Sequence, residues 1–219
     1  MIFNNRAEAG QMLANRLRDY ADRSDVIVLG IPRGGVPVAF EIAQALNAPL
    51  DIFVARKLGV PGEEELAFGA IASGGVRVLS PEVIDPLNIS DFDIERVTAR
   101  EQKELERRER LFRGSRAPLS VGGQVVILVD DGIATGSSIR AAISALRQLN
   151  PAKLIVAAPV APLATARELS AEADDFVCVE TPRTFQAIGQ FYDDFSQLAD
   201  EEVADLLRRN WREPVPRAF

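Results

Sequence analysis

The stretch Gln124-Val125-Val126-Ile127-Leu128-Val129-Asp130-Asp131-Gly132-Ile133-Ala134-Thr135-Gly136-Ser137-Ser138-Ile139 decides the fold. Gln124 to Val129 is rich in β-branched and aliphatic residues, the pattern of a strand buried on both faces, as parallel strands are. Two aspartates and a run of small residues follow. Ile139, Ala142, Ile143, Leu146 and Leu149 then recur at the spacing of one helix face, and Pro151 closes the helix. Strand, carboxylates, small-residue loop and helix make an α/β unit whose loop lies at the carboxyl end of a strand, where open α/β sheets bind ligands.

The flanking sequence repeats the theme. Upstream, Val26-Ile27-Val28-Leu29-Gly30 is a second buried-strand run. It leads into Ile31-Pro32-Arg33-Gly34-Gly35-Val36-Pro37. A helix carries Val38, Ile42, Ala45 and Leu46 on one face and stops at Asn47-Ala48-Pro49, and Leu50 to Ala55 reads as the next strand, completing a βαβ unit. An N-terminal helix is signalled by Asn5 and Glu8, which resemble a capping box. Downstream, Leu154 to Val160 and Asp175 to Glu180 are strands around a short helix, Ala164 to Ala173, and a final helix lies near Glu201 to Asn210. The fold class is therefore α/β: one domain over residues 1–219, an open, twisted, mostly parallel sheet flanked by helices. An insertion occupies 58–118. Within it, Leu58 to Leu66 carries Gly59, Pro61, Gly62 and three successive glutamates, and reads as an exposed, mobile loop. Ala67 to Ser80 reads as a hairpin around Gly74-Gly75. Asp91 to Arg113 reads as a charged, solvated helix laced with i,i+4 pairs, with a homodimer contact as its alternative role.

Composition narrows the chemistry. Hydrophobic residues are 47% and charged residues 26% of the 219, as in ordinary globular domains. There is no histidine, which excludes Ser-His-Asp and Cys-His catalysis and histidine metal sites. The lone Cys178 sits in an apolar run and reads as a small buried hydrophobe. The net charge of −7 and pI near 4.8 argue against nucleic-acid and anionic-membrane binding. No apolar run approaches the roughly 20 residues of a membrane span, and Met1-Ile2-Phe3 begins no signal peptide, so a cytoplasmic protein is expected.

The 130–138 loop has a physical logic of its own. Helix N-termini present unpaired N–H groups and partial positive charge, so a phosphate can rest on the backbone of Ala134, Thr135, Gly136, Ser137 and Ser138, with three hydroxyls as further donors. Asp130 and Asp131 repel a phosphate. They suit sugar hydroxyls, or a magnesium ion held through its waters. A ligand with a phosphate at one end and a diol in its middle satisfies both halves. Taken alone, an Asp-Asp pair after a strand is commonly just a helix cap, and Pro32-Arg33-Gly34-Gly35 alone is a strand-to-helix turn; it is their combination that signals a site. No lysine follows Gly136, so this is not a Walker A loop, and Gly-x-Gly-x-x-Gly is missing.

Val129-Asp130-Asp131-Gly132-Ile133-Ala134-Thr135-Gly136-Ser137-Ser138 resembles the 5-phosphoribosyl-1-pyrophosphate (PRPP) signature of the type I phosphoribosyltransferases. The match extends in order and spacing over roughly Val26 to Val160. The resemblance implies a magnesium-dependent, glycosyl-transferring enzyme of nucleotide metabolism, moving the 5-phosphoribosyl group of PRPP to a nucleobase or related acceptor with release of pyrophosphate. It implies that Asp130 and Asp131 bind the ribose hydroxyls, that Ala134 to Ser138 bind the 5-phosphate, and that Arg33, Gly34 and Gly35 form the pyrophosphate loop. Arg56 and Lys57 would begin the flexible loop that closes the site, and the tail from 181 to 219 would form a hood over the acceptor. Arg33 and Asp131 are the catalytic candidates, the first stabilising the leaving oxygens and the second being the one local candidate base. In the hood, Phe185, Phe191, Tyr192 and Phe195 could stack on a base or pack the core. Hypoxanthine-guanine members carry an aspartate where this chain has Ala134, which counts against a 6-oxopurine acceptor. A regulator of the same fold that senses PRPP or nucleotide, and a non-catalytic relic, are the competing readings. Retention of Arg33 favours the enzyme.

Overall fold

Along each central strand, successive side chains point to opposite faces, and the two faces build two cores. In the computed structural model, which describes residues 2–118 and 120–210, five parallel strands form the main sheet. They are β1 (Val26–Gly30), β2 (Leu50–Ile52), β6 (Val125–Val129), β7 (Lys153–Val160) and β8 (Asp175–Glu180), in the order β2-β1-β6-β7-β8. Val26, Val28, Val125, Ile127 and Val129 face one core, with Phe3, Leu13, Ile42 and Leu207. That core is closed by α1 (Arg6–Arg16), α2 (Gly35–Ala45) and α7 (Asp200–Asn210). Ile27, Leu29, Val126 and Leu128 face the other, beside Ile139, Ile143, Leu146 and Leu169 of α5 (Ser137–Gln148) and α6 (Leu163–Glu172).

From β1 the chain moves outward to β2. It later returns on the other side of β1 as β6. The loops after β1 and β6 thus diverge at a topological switch point, the place where such sheets open a crevice.

The insertion departs from its sequence reading. Residues 58–66 are not a loop. They belong to β3 (Ala55–Val60) and β4 (Glu63–Ala72), an antiparallel pair turned tightly at Pro61-Gly62, with Gly62 at φ 88°. Glycine and glutamate are poor β-formers, but strand pairing follows neighbours more than propensity: Lys57 lies opposite Ala70 and Leu58 opposite Gly69. The hairpin at Gly74-Gly75 joins β4 to β5 (Val76–Leu79). This small sheet packs on α5 and on α4 (Asp91–Arg113), while α3 (Pro81–Leu87) lies against β4. The charged helix α4 is not solvated all round: it buries Ile94, Val97, Glu101, Leu105, Phe112 and Arg113. Its last turn carries a buried ion pair, with Arg113 Nε 3.0 Å from Asp51 of β2.

The tail folds back onto the N-terminus. Phe3 N–H donates to Phe191 O at 2.7 Å and Asp193 N–H to Phe3 O at 2.8 Å. Residues 211–219, the end of the expected hood, lie outside the described residues. No helix among the described residues is long and apolar enough to cross a membrane.

Candidate functional site

The two loops singled out in the sequence meet at the switch point. Ile31 N–H donates to Val129 O at 2.8 Å, joining the first loop to the end of β6. The Pro32–Arg33 peptide is cis. The glycines that follow leave no room for a side chain. A Cβ on Gly34 would lie 1.9 Å from Asp131 Oδ2, and one on Gly35 2.5 Å from Val129 O. The Gly34-Gly35 backbone is therefore seated directly on the aspartate pair.

Both aspartates are held. Asp131 is buried, and its Oδ2 accepts from Arg6 Nε at 2.7 Å. Its carbonyl accepts from the Tyr192 hydroxyl at 2.6 Å. Arg6 also donates to Ser196 O at 3.0 Å and stacks over the Phe195 ring at 4.0 Å. Asp130 Oδ1 accepts from the Asp131 N–H at 2.9 Å. Burial, and next the charge of Asp131, push the Asp130 carboxyl well above the usual carboxylate range. Burial likewise raises the Tyr192 phenol.

Beyond the aspartates the chain lines a pocket of about 180 Å³ with Asp130, Gly132 to Ile139, and Ile188. Gly136, at φ 79°, is the N-cap of α5 and has no side chain to cap it; the Ser137 N–H makes only a long bond, 3.5 Å, to Thr135 Oγ1. Thr135, Ser137 and Ser138 are exposed, and Thr135 Oγ1 lies 3.1 Å from Ser137 Oγ. Among the described residues, the Thr135 and Gly136 N–H groups donate to no protein acceptor. Unpaired amides at a helix start suit an anion.

A larger cleft of about 470 Å³ adjoins it, lined by Pro32, Arg56, Lys57, Arg100, Glu101 and Ser138 among others. Here β3 presents Arg56 and Lys57. Each is paired: Arg56 donates twice to Glu101 of α4, once at 2.9 Å and once at 2.5 Å, and Lys57 donates to Glu65 at 3.0 Å. Arg33 is not among the cleft residues. Its guanidinium donates to Leu198 O at 2.8 Å and stands 3.9 Å from Asp200. Of the hood aromatics, Phe191 and Tyr192 are core residues, while Phe185 and Phe195 are half-buried, stacked on Phe191 and Tyr192 respectively. Cys178 is partly buried, and burial raises its thiol to about 11, so it is unreactive.

The chain thus joins Asp130, Asp131, Gly34, Gly35 and 134–138 in one site, with Arg56 and Lys57 on its far wall and Arg33 turned aside. Sequence reasoning missed Arg6 and Glu101. Only its place at the opening of α1, next to the capping Asn5, hinted at the first; nothing local marks the second.

The site's relatives are known. Residues 1–196 match the family model described as "Phosphoribosyl transferase domain". A protein of Mycobacterium tuberculosis strain H37Rv carrying a provisional phosphoribosyl transferase name is 43% identical over 212 residues, which are 97% of this chain and 48% of that protein. The chain therefore spans about half the length of the curated relatives it matches. "Bifunctional protein PyrR" of Pelotomaculum thermopropionicum is 31% identical over 128 residues, 58% of this chain and 65% of that one. The crystal structure of TT1426 from Thermus thermophilus is similar with a TM-score of 0.86 at 39% identity, covering 96% of this chain and 99% of that one.

Proposed function

The chain belongs to the phosphoribosyl transferase domain family, and on that premise we propose that it transfers the 5-phosphoribosyl group of PRPP to a nitrogenous base or related acceptor, releasing pyrophosphate. The observation that carries this reading is the seating of Gly34-Gly35 on Asp130-Asp131, beside a helix start with free amides. A sugar diol bound at the aspartates would have its 5-phosphate on 134–138 and its anomeric substituent toward the glycine loop. Binding both ends of the ribose fixes the carbon under attack, which lowers the barrier by positioning. The departing oxygens need positive charge and N–H donors. Gly34 and Gly35 supply backbone, and Arg56 and Lys57 supply charge on exchanging Glu101 and Glu65 for pyrophosphate. Arg33 joins them by turning from Leu198. Asp131, its carboxylate fixed by Arg6, lies against the sugar and faces the positive charge that develops there.

Magnesium belongs to this reading. Among the described residues no group of three acidic or other ligating side chains could hold a metal. The residues present fit an ion that keeps its waters, takes most ligands from the substrate's oxygens, and is supported through water by Asp130 and Asp131. Bound there, it would neutralise pyrophosphate as a leaving group.

The test is calorimetry of PRPP with the double variant Asp130→Asn, Asp131→Asn, which should abolish binding; unchanged affinity refutes the assignment. A screen of bases and small amines for PRPP-dependent pyrophosphate release identifies the acceptor. Tight PRPP binding with no release for any acceptor would move the reading to a sensor of the same fold.

A further inference from the structure

Two carbonyl groups of the phosphate loop are held from outside it. Thr165 of α6 donates its hydroxyl to Ala134 O at 3.0 Å. Arg140 of α5 donates Nη1 to Thr135 O at 2.8 Å. These two donors stand on one side of the loop, because a Cβ on Gly136 would meet both Arg140 Nη1 and Thr165 Cγ2 at 3.2 Å. Neither lines the pocket of residues 130–139.

A trans peptide carries its C=O and the following N–H in opposite directions. Pinning Ala134 O outward therefore turns Thr135 N–H inward, and pinning Thr135 O outward turns Gly136 N–H inward. Neither amide has a protein acceptor among the described residues, and they lie next to the Ser138 and Ile139 amides of the helix start, which also have none there. Successive inward N–H groups make an anion-binding concavity. Arg140 is itself held. Its Nε donates to Glu172 at 2.8 Å and its Nη2 to Glu168, both on α6, so its direction is set by the helix pair and its charge is matched away from the ligand.

We propose that Thr165 and Arg140 are positioning residues that orient the Thr135 and Gly136 amides toward the 5-phosphate without touching it. The proposal rests on the PRPP reading of this loop. It makes α6, which contributes nothing to the signature, part of the phosphate site.

The test compares two ligands by calorimetry, ribose 5-phosphate for this loop and pyrophosphate for the opposite end. Thr165→Val removes the donor at constant shape. It should weaken ribose 5-phosphate about five- to tenfold, the size of one lost hydrogen bond, and leave pyrophosphate affinity unchanged. Thr165→Ser, which keeps the hydroxyl, should restore the parent value. Arg140→Met should weaken ribose 5-phosphate by at least as much, again sparing pyrophosphate. An unaltered ribose 5-phosphate affinity in Thr165→Val, or equal losses for both ligands, overturns the proposal and leaves the PRPP reading standing. A parent protein that binds pyrophosphate but no ribose 5-phosphate would overturn both.

Discussion

Asp130 is partly buried, in surroundings that disfavour a charge, and Asp131 beside it repels a second one. The cost has a sign that can be followed with pH. The folded pKa lies well above the ordinary value of 3.8, so between the two the folded state binds the proton more strongly than the unfolded state. Stability from this group is present below the unfolded pKa and is lost as pH rises through the folded one. Asn cannot ionise. Asp130→Asn should therefore melt higher than the parent at neutral pH, as thermal unfolding would show. The gap should close on acidification toward 3.8. A parent at least as stable at neutral pH would show that Asp130 carries no such strain. The same variant should bind PRPP worse, which is the expected conflict between stability and function at a ligand site. Gly34 is the complement of this crowding: the space a side chain would need is occupied by the Asp131 carboxylate, itself tied to Arg6.

The elements divide by how locally they are specified. Strands β1 and β6, helix α5 and the loops after both strands were legible, because an apolar run, a glycine or a helical period is written in consecutive residues. The hairpin of β3 and β4 was not: Leu58 to Leu66 has loop composition, and its strand state comes from the pairing of Leu58 with Gly69, Gly59 with Ala67 and Val60 with Glu63, and from packing on α4 and α5. Site residues follow the same rule. Asp130, Gly34 and Ser137 lie inside motifs, whereas Arg6, Glu101, Arg140 and Thr165 act across elements and carry no signature. Glu101 is the clearest case. It is buried on α4 and takes both Arg56 of β3 and the neighbouring Arg100. Since a charged hydrogen bond contributes about 1.5–3 kcal/mol, Glu101→Gln should lower the unfolding free energy by about 2 kcal/mol in urea titration. A change below roughly 0.5 kcal/mol, the level of ordinary surface substitutions, would mean that the hairpin is not anchored by this pair.

At the scale of the molecule, charge poses a problem that the fold alone does not answer. The chain carries −7, and its proposed ligand is a polyanion. Cations close to the cleft could overcome a distant field, which is screened beyond about 8 Å at physiological salt. Yet those cations are matched: Arg56 by Glu101, Lys57 by Glu65, Arg33 by Asp200 at 3.9 Å, and Arg100 by Glu64 at 3.9 Å as well as by Glu101. Glu64 and Glu65 are themselves cleft residues. A pyrophosphate entering this wall would displace carboxylates and then face them. The backbone amides at α5, proposed to hold the 5-phosphate at the other end, supply only partial charges. The proposed function therefore calls for a divalent cation on the pyrophosphate oxygens, in addition to Arg56 and Lys57 once they exchange their carboxylates. PRPP affinity should accordingly fall about tenfold or more, at least 1.4 kcal/mol, when magnesium is replaced by EDTA at constant ionic strength, while ribose 5-phosphate, bound by the amides and Asp130-Asp131, should change far less. Equal PRPP affinity with and without magnesium in calorimetry would mean that Arg33, Arg56 and Lys57 release their carboxylates and suffice alone.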